Sequence, residues 1–362
     1  MPKVIMEERK ILVIHTGGIG DLIMATPTLK AVRHLFPKAS IHFLGNPKSI
    51  EAIRDLPYVN EIIAINTGRI KSRILGEIPG MLKLVRFLRN RKYNSLFVLQ
   101  PQLTFGAAIR MGLFIIPLGI PERFGRNTNG RAFFLTKEVE ETSSSKKHEV
   151  ERMLDVIRLA GAVPENYNMT IPISQNDRNV ILGLLNDNRI TQLDFLIALA
   201  PGFGKPTRGW YPDKWAQLAD RLISKHGATI LIVGGLKEMN LAIQISNLMK
   251  ERPIIIAGKT NIFQTAALME QCQIVISNDS GPMHIAAAVR ANIVALFGPG
   301  DYNRIRPYAN TDKFVIVTKN AQCAPCYKVE CKETSKEGHR CMTDITVDDV
   351  FLAAEKFILV IH

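Results

Sequence analysis

The chain has 362 residues, 46% of them hydrophobic, and because a single core usually stops growing at about 250–300 residues, two domains are expected. Its 46 Lys and Arg against 33 Asp and Glu give a formal charge of +13, which calls for an acidic partner such as phosphorylated sugar or anionic lipid. With no basic low-complexity arm and no RNP-like aromatic pattern, no nucleic-acid partner is expected. No apolar run nears the roughly 20 residues of a membrane span, and the opening MPKVIMEERK lacks a signal-peptide core, so the expected location is the cytoplasm.

In chain order, apolar runs at 11–15, 40–45, 61–66 and 95–100 alternate with helical patterns at about 20–36 and 48–56 and with a basic helical stretch over 69–92. A polar, serine-rich segment, 138–150, leads into a helix over 148–161, and 172–194 reads as the passage between domains. A second alternating series then begins. Its runs lie at 195–202, 229–235, 253–258, 274–280 and 292–300, with helices at about 212–226, 238–250, 262–271 and 281–289. Short continuous apolar runs separated by helices mean parallel strands covered on both faces. The expected fold is therefore α/β, two Rossmann-like domains over 1–175 and 190–345 facing across a cleft, with ligand at the carboxyl ends of the strands. The terminal segment 346–362 is expected to be a helix crossing the domain junction.

There is no G-x-x-x-x-G-K-[ST], no D-x-D pair, and no acidic residue at the distance a nicotinamide site requires. The first turn, HTGGIGDLIMATPTLKAV, instead carries Gly17, Gly18 and Gly20 followed by Asp21. Glycines let a substrate approach the backbone closely, and the following helix N-terminus favours a charged carboxylate. Asp21 is thus a candidate general base; the competing reading is a helix cap. In NDSGPMHIAAAV, Ser280 is an N-cap candidate before Gly281 and Pro282, and the free amides behind it make either an anion site or an ordinary capped helix. Lys205 and Arg208, in PGFGKPTRGWYPDKW, lie at the same sheet end. Trp215, Leu218 and Leu222 read as core, Trp210 as core or ligand contact, and Glu238 as a ribose acceptor or a solvated helix end.

With GGIGDLIMATPTLKAV, PGFGKPTRGWYPDKW and SNDSGPMHIAAAVRANIVALFGP, the chain resembles the ADP-heptose:lipopolysaccharide heptosyltransferases, glycosyltransferase family 9, from residue 11 to about 345. The resemblance implies a GT-B fold, with an acceptor domain first and a nucleotide-sugar donor domain second. It implies inverting transfer of heptose from ADP-heptose to the inner core of lipopolysaccharide, with Asp21 as base. Asp279, Ser280, Gly281 and His284 would bind the donor diphosphate with Lys205 and Arg208, and Glu238 would take the ribose. Arg208 stands where the family commonly has lysine. Cationic side chains and helix amides would replace a divalent ion, so no catalytic cofactor is expected. The acceptor would be a lipid A-core molecule.

Two features lie outside that scheme. Cys323-x2-Cys326-x4-Cys331-x9-Cys341, with His339 close by, could close a structural zinc or iron–sulfur site, or stay as reduced thiols or reversible disulfides. Cys272 reads as core. The stretch 69–92 holds eight basic residues against Glu77, with Met81, Leu82, Leu84, Val85 and Leu88 among them, which suits either an anionic inner-membrane surface or a plain solvated helix. Rival functions are another nucleotide-sugar transferase or epimerase on this fold, or a non-catalytic nucleotide-sugar or anionic-lipid binding protein.

Overall fold

The computed structural model describes residues 8–65, 78–142, 144–164, 167–191, 193–319, 321–331 and 339–361. The chain divides into two units, Met1–Met169 and Thr170–His362.

In the first unit the order is β1 (Lys10–His15), α1 (Ile19–Leu35), β2 (Ser40–Gly45), β3 (Glu61–Ala64), α2 (Ile78–Asn90), β4 (Ser95–Val98), α3 (Phe105–Ile115), β5 (Glu122–Thr128), β6 (Lys137–Glu141) and α4 (Glu149–Arg158). The strands form one all-parallel sheet, β3-β2-β1-β4-β5-β6. Its core gathers Leu12, Ile14, Leu96, Val98, Ile115 and Phe134.

The second unit runs α5 (Gln175–Asp187), β7 (Leu196–Ala200), α6 (Pro212–His226), β8 (Thr229–Ile232), α7 (Met239–Leu248), β9 (Ile254–Ile255), α8 (Ile262–Gln271), β10 (Ile274–Asn278), α9 (Gly281–Ala288), β11 (Asn292–Phe297), α10 (Tyr302–Ile305), β12 (Phe314–Thr318), α11 (Arg340–Thr343) and α12 (Val347–Ile361). Its sheet, again all parallel, is β9-β8-β7-β10-β11-β12. Numbered within each unit, both sheets have strand order 3-2-1-4-5-6, whose ligand sites lie at the reversal beside the first strand. That rule picks out the turn after β1, next to β4, and the turns after β7 and β10.

Several elements depart from the sequence expectation. Over 48–56 there is only a short 3-10 turn, Ile50–Ile53; Pro57 disfavours helical backbone at Leu56, which keeps the turn from extending to that end. Lys137–Glu141, inside the polar segment, is edge strand β6; exposure on an edge frees it from the apolar pattern. Residues 175–187 are no passage but a helix, capped by Ser174 and Asp177 and packed on α8. The 69–77 part of the basic stretch lies outside the described residues. Helix α12 packs on α6, β10, β11 and β12 of its own unit.

In α1, Pro27 cannot donate to the carbonyl of Ile23, and the Thr26 hydroxyl takes that acceptor at 2.7 Å. The helix therefore continues through its proline. In the second unit Trp210 is core: its ring meets Trp215 edge-on at 5.2 Å and its Nε1 donates to the Ile345 carbonyl at 3.0 Å.

Candidate active-site elements in the two units

At the reversal point of the first sheet, β1 ends in His15 and the chain turns through Thr16, Gly17 and Gly18 into α1. Asp21, in the first turn of α1, accepts a hydrogen bond from the Gly18 amide through Oδ2 at 2.8 Å. Cap and candidate base are thus one side chain. A carboxylate has about four acceptor sites, so this bond leaves capacity for a substrate hydroxyl. The turn is tied on its other sides as well. The Thr16 hydroxyl donates to Gln100 Oε1, beyond β4, at 2.9 Å, and Ser49 Oγ donates to the Gly17 carbonyl at 2.7 Å. A methyl on Gly17 would collide with Asp21 Oδ2 and with His15 Cε1, so only glycine fits there.

At the reversal point of the second sheet, the turns after β7 and β10 meet. Asn278 Nδ2 donates to the Pro201 carbonyl at 2.7 Å. Arg208 NH1 donates to the Asp279 main-chain oxygen at 3.3 Å and lies 3.0 Å from its Oδ2 as an ion pair. Asp279 is buried, so this pair holds the guanidinium from behind. Among the described residues, Arg208 Nε and Ser280 Oγ are buried atoms with no hydrogen-bond partner. Ser280 is the N-cap residue of α9 yet makes no side-chain cap bond. A guanidinium nitrogen and a hydroxyl without partners at a helix N-terminus form a cluster chemically suited to a diphosphate.

Lys205 does not stand free. Its Nζ donates to the Tyr327 carbonyl at 2.7 Å, and Thr207 Oγ1 donates to the Lys328 carbonyl at 2.7 Å, which ties this loop to the cysteine segment. Glu238 accepts from the Gly235 amide at 2.9 Å, and its side chain crosses Gly202 and Gly234, where a Cβ would be 2.9 and 2.8 Å away. It reaches the same end of the sheet. His284 is buried within α9.

Residues 81–337 match the family model described as glycosyltransferase family 9 (heptosyltransferase). The chain belongs to glycosyltransferase family 9. Among relatives of this family-9 enzyme, the lipopolysaccharide heptosyltransferase 2 of Salmonella typhimurium is 25% identical over 350 residues, 93% of this chain and 95% of that one. Two solved structures share the fold. The family-9 glycosyltransferase of Veillonella parvula has a TM-score of 0.80 at 23% identity, covering 99% of this chain and 100% of its own. The E. coli ADP-heptose lps heptosyltransferase II has a TM-score of 0.74 at 24% identity, covering 97% and 99%. The fold of this family-9 glycosyltransferase is the two-sheet GT-B arrangement of those structures.

In this family-9 chain the four clustered cysteines, with His339, line one cavity of about 50 Å³ beside Thr207 and Pro299. Burial, reinforced by the three neighbouring thiols, pushes the Cys341 thiol up to about 11. The donor chemistry suits a thiophilic ion. As the side chains stand, however, no group of three or more His, Cys, Asp or Glu among the described residues could hold a metal. Cys272 is core, its thiol donating to the Leu268 carbonyl. No helix among the described residues is long and apolar enough to cross a membrane.

Sequence reasoning passed over two features of the first unit. One is His15, whose signal was a lone histidine closing an apolar strand just ahead of the glycine turn. The other is α3, whose Phe105, Ile109 and Leu113 point outward beside exposed Ile116 and Phe133. The signal there was an apolar helix without acids: from Ile78 to Pro121 the chain has six Lys or Arg and no Asp or Glu.

Proposed function

We propose that this glycosyltransferase moves heptose from ADP-heptose to the inner core of lipopolysaccharide with inversion at the anomeric carbon. Asp21 takes the proton of the acceptor hydroxyl as its oxygen attacks. Arg208, the Ser280 hydroxyl and the α9 amides take up the charge that develops on departing ADP. Asp279, a carboxylate, serves the diphosphate by orienting Arg208, and Glu238 is placed for the ribose. Lys205 contributes its charge from the cysteine-segment carbonyl it holds. These cationic and dipolar groups do what a divalent ion would do, so the reading needs no catalytic cofactor. The observation that carries it is the pair of unused buried polar atoms, Arg208 Nε and Ser280 Oγ, at the N-terminus of α9. The names of the Salmonella and E. coli proteins support the choice of sugar donor and acceptor.

The test is incubation with ADP-heptose and a heptose-deficient acceptor, followed by ADP release and product mass. Asp21→Ala is expected to lower turnover about 100-fold or more while ADP still binds, the scale of lost base catalysis. Wild-type turnover in that variant removes the base assignment. An epimerase would change the donor without releasing ADP, and a binding protein would bind without turnover.

The acceptor carries anionic lipid, and α2 and α3 offer a surface for it. The two helices meet at the turn Ile116–Leu118 and expose Leu82, Phe87, Phe105 and Leu113 with Lys83, Arg86, Arg89 and Arg110. This mixture of apolar and cationic side chains fits peripheral docking on an anionic bilayer. A structural metal at the thiol cavity is a separate proposal, supported by the convergence of all four cysteines on one space. Metal analysis of anaerobically purified protein tests it: zinc or iron near one site's stoichiometry supports it, and none ends it.

A further inference from the structure

The glycine turn that presents Asp21 is held by a group not yet given a role. The Gly17 amide donates to His15 Nδ1 at 3.1 Å. An N–H donor requires an unprotonated acceptor, so this bond exists only for the neutral imidazole with its proton on Nε2. His15 is 4% exposed. It faces Asp21 from α1, Glu149 from α4 and Arg126 from β5; burial outweighs the two carboxylates, and its pKa lies below the ordinary 6.5. His15 Cε1 and Asp21 Oδ2 press on the same face of Gly17, the face where any Cβ would strike both. Two consecutive amides, Gly17 and Gly18, are therefore gripped by two adjacent side chains, one from the strand and one from the helix.

We propose that His15, as a neutral imidazole, is a positioning residue for Asp21: by holding the Gly17 amide it fixes the turn on which the carboxylate is aimed. The proposal rests on the reading of Asp21 as the base. It has a chemical corollary. A proton on Nδ1 turns the acceptor into a donor, releases the Gly17 amide, and sets a cation beside the carboxylate whose basicity the reaction uses. The acid side of the activity profile then carries the titration of His15.

The experiment compares wild type, His15→Ala, His15→Asn and Asp21→Asn for kcat and donor KM across the acid range, with ADP affinity and thermal unfolding measured alongside. His15→Ala is expected to lower kcat about 10- to 100-fold, the scale of a small misplacement of a catalytic group, with donor KM nearly unchanged. His15→Asn puts an oxygen acceptor where Nδ1 was and cannot titrate. It is expected to recover most of the lost kcat and to show a shallower acid limb than wild type. Wild-type kcat in His15→Ala overturns the proposal, as does an acid limb in His15→Asn as steep as that of wild type. If His15→Ala does not fold, the His15→Asn profile decides alone. Asp21→Asn separates the two readings. Wild-type turnover there sinks the base assignment and this proposal with it, whereas an inactive Asp21→Asn beside an unchanged His15→Asn profile sinks this proposal only.

Discussion

Arg208 and Asp279 lie 71 positions apart in the chain and form one ion pair in the fold. Each was visible in the sequence as a site residue, but neither showed that the acid serves the base. Side-chain pairing across a sheet depends on which strand tips are neighbours, and that information is not local. The same holds for Lys205, legible as a cation and found on the Tyr327 carbonyl. Gly300 gives the pair a test. A methyl there would collide with Asp279 Oδ2, so Gly300→Ala is expected to push the carboxylate off Arg208 and loosen the proposed diphosphate site. Hydrogen bonds to charged groups are worth about 1.5–3 kcal/mol, so calorimetry should find ADP affinity down by about tenfold or more. An unchanged affinity would show that Arg208 does not depend on Asp279. Asp21 was legible because glycine, acid and helix start fall within one turn. His15 was not, since its role depends on which amide its ring meets.

At the scale of elements, the apolar runs announced nine of the twelve strands among the described residues and missed β5, β6 and β12; β5 is buried, yet its ERFGRNT mixes charged and polar residues into the strand and so shows no apolar run. Strand β6 reads KEVEE and is largely exposed, so charge alternation masked it. Helix α5 buries Ile181 and Leu185 while Val180 and Leu182 stay exposed, which blurs its stripe and made it resemble a linker. The amphipathic character of α2 was legible, but its extension onto α3 was not, because an apolar helix in an α/β sequence reads as core. The combined face makes a prediction. Each Lys or Arg near an anionic bilayer is worth about 1 kcal/mol, so replacing Lys83, Arg86 and Arg89 with Gln should weaken vesicle partition about 100-fold. Sedimentation with anionic liposomes across a salt series measures this, with ADP affinity as the control. Equal partition of wild type and variant, or none by either, would remove the membrane reading of this face.

For the whole molecule, the repeated alternation of strand and helix was enough to give two parallel sheets, and each proved to have its reversal point where the motifs had placed chemistry. Glycine turn and acid lie at one, cations and α9 at the other. The equal strand order of the two sheets was not written in any repeat of residues; it follows from how crossovers lay successive strands beside one another. That order also governs how the chain comes to be folded. Since every neighbour in either sheet runs parallel, no two-residue hairpin can nucleate assembly, and every pairing but β5 with β6 waits for a connection of a dozen or more residues to close. The central partners β7 and β10 come together only after two further strands and three helices have been laid down, so loop entropy is spent before the pairing that offsets it. Slow maturation is the expected kinetic counterpart of a sheet whose middle gathers the turns after β7 and β10.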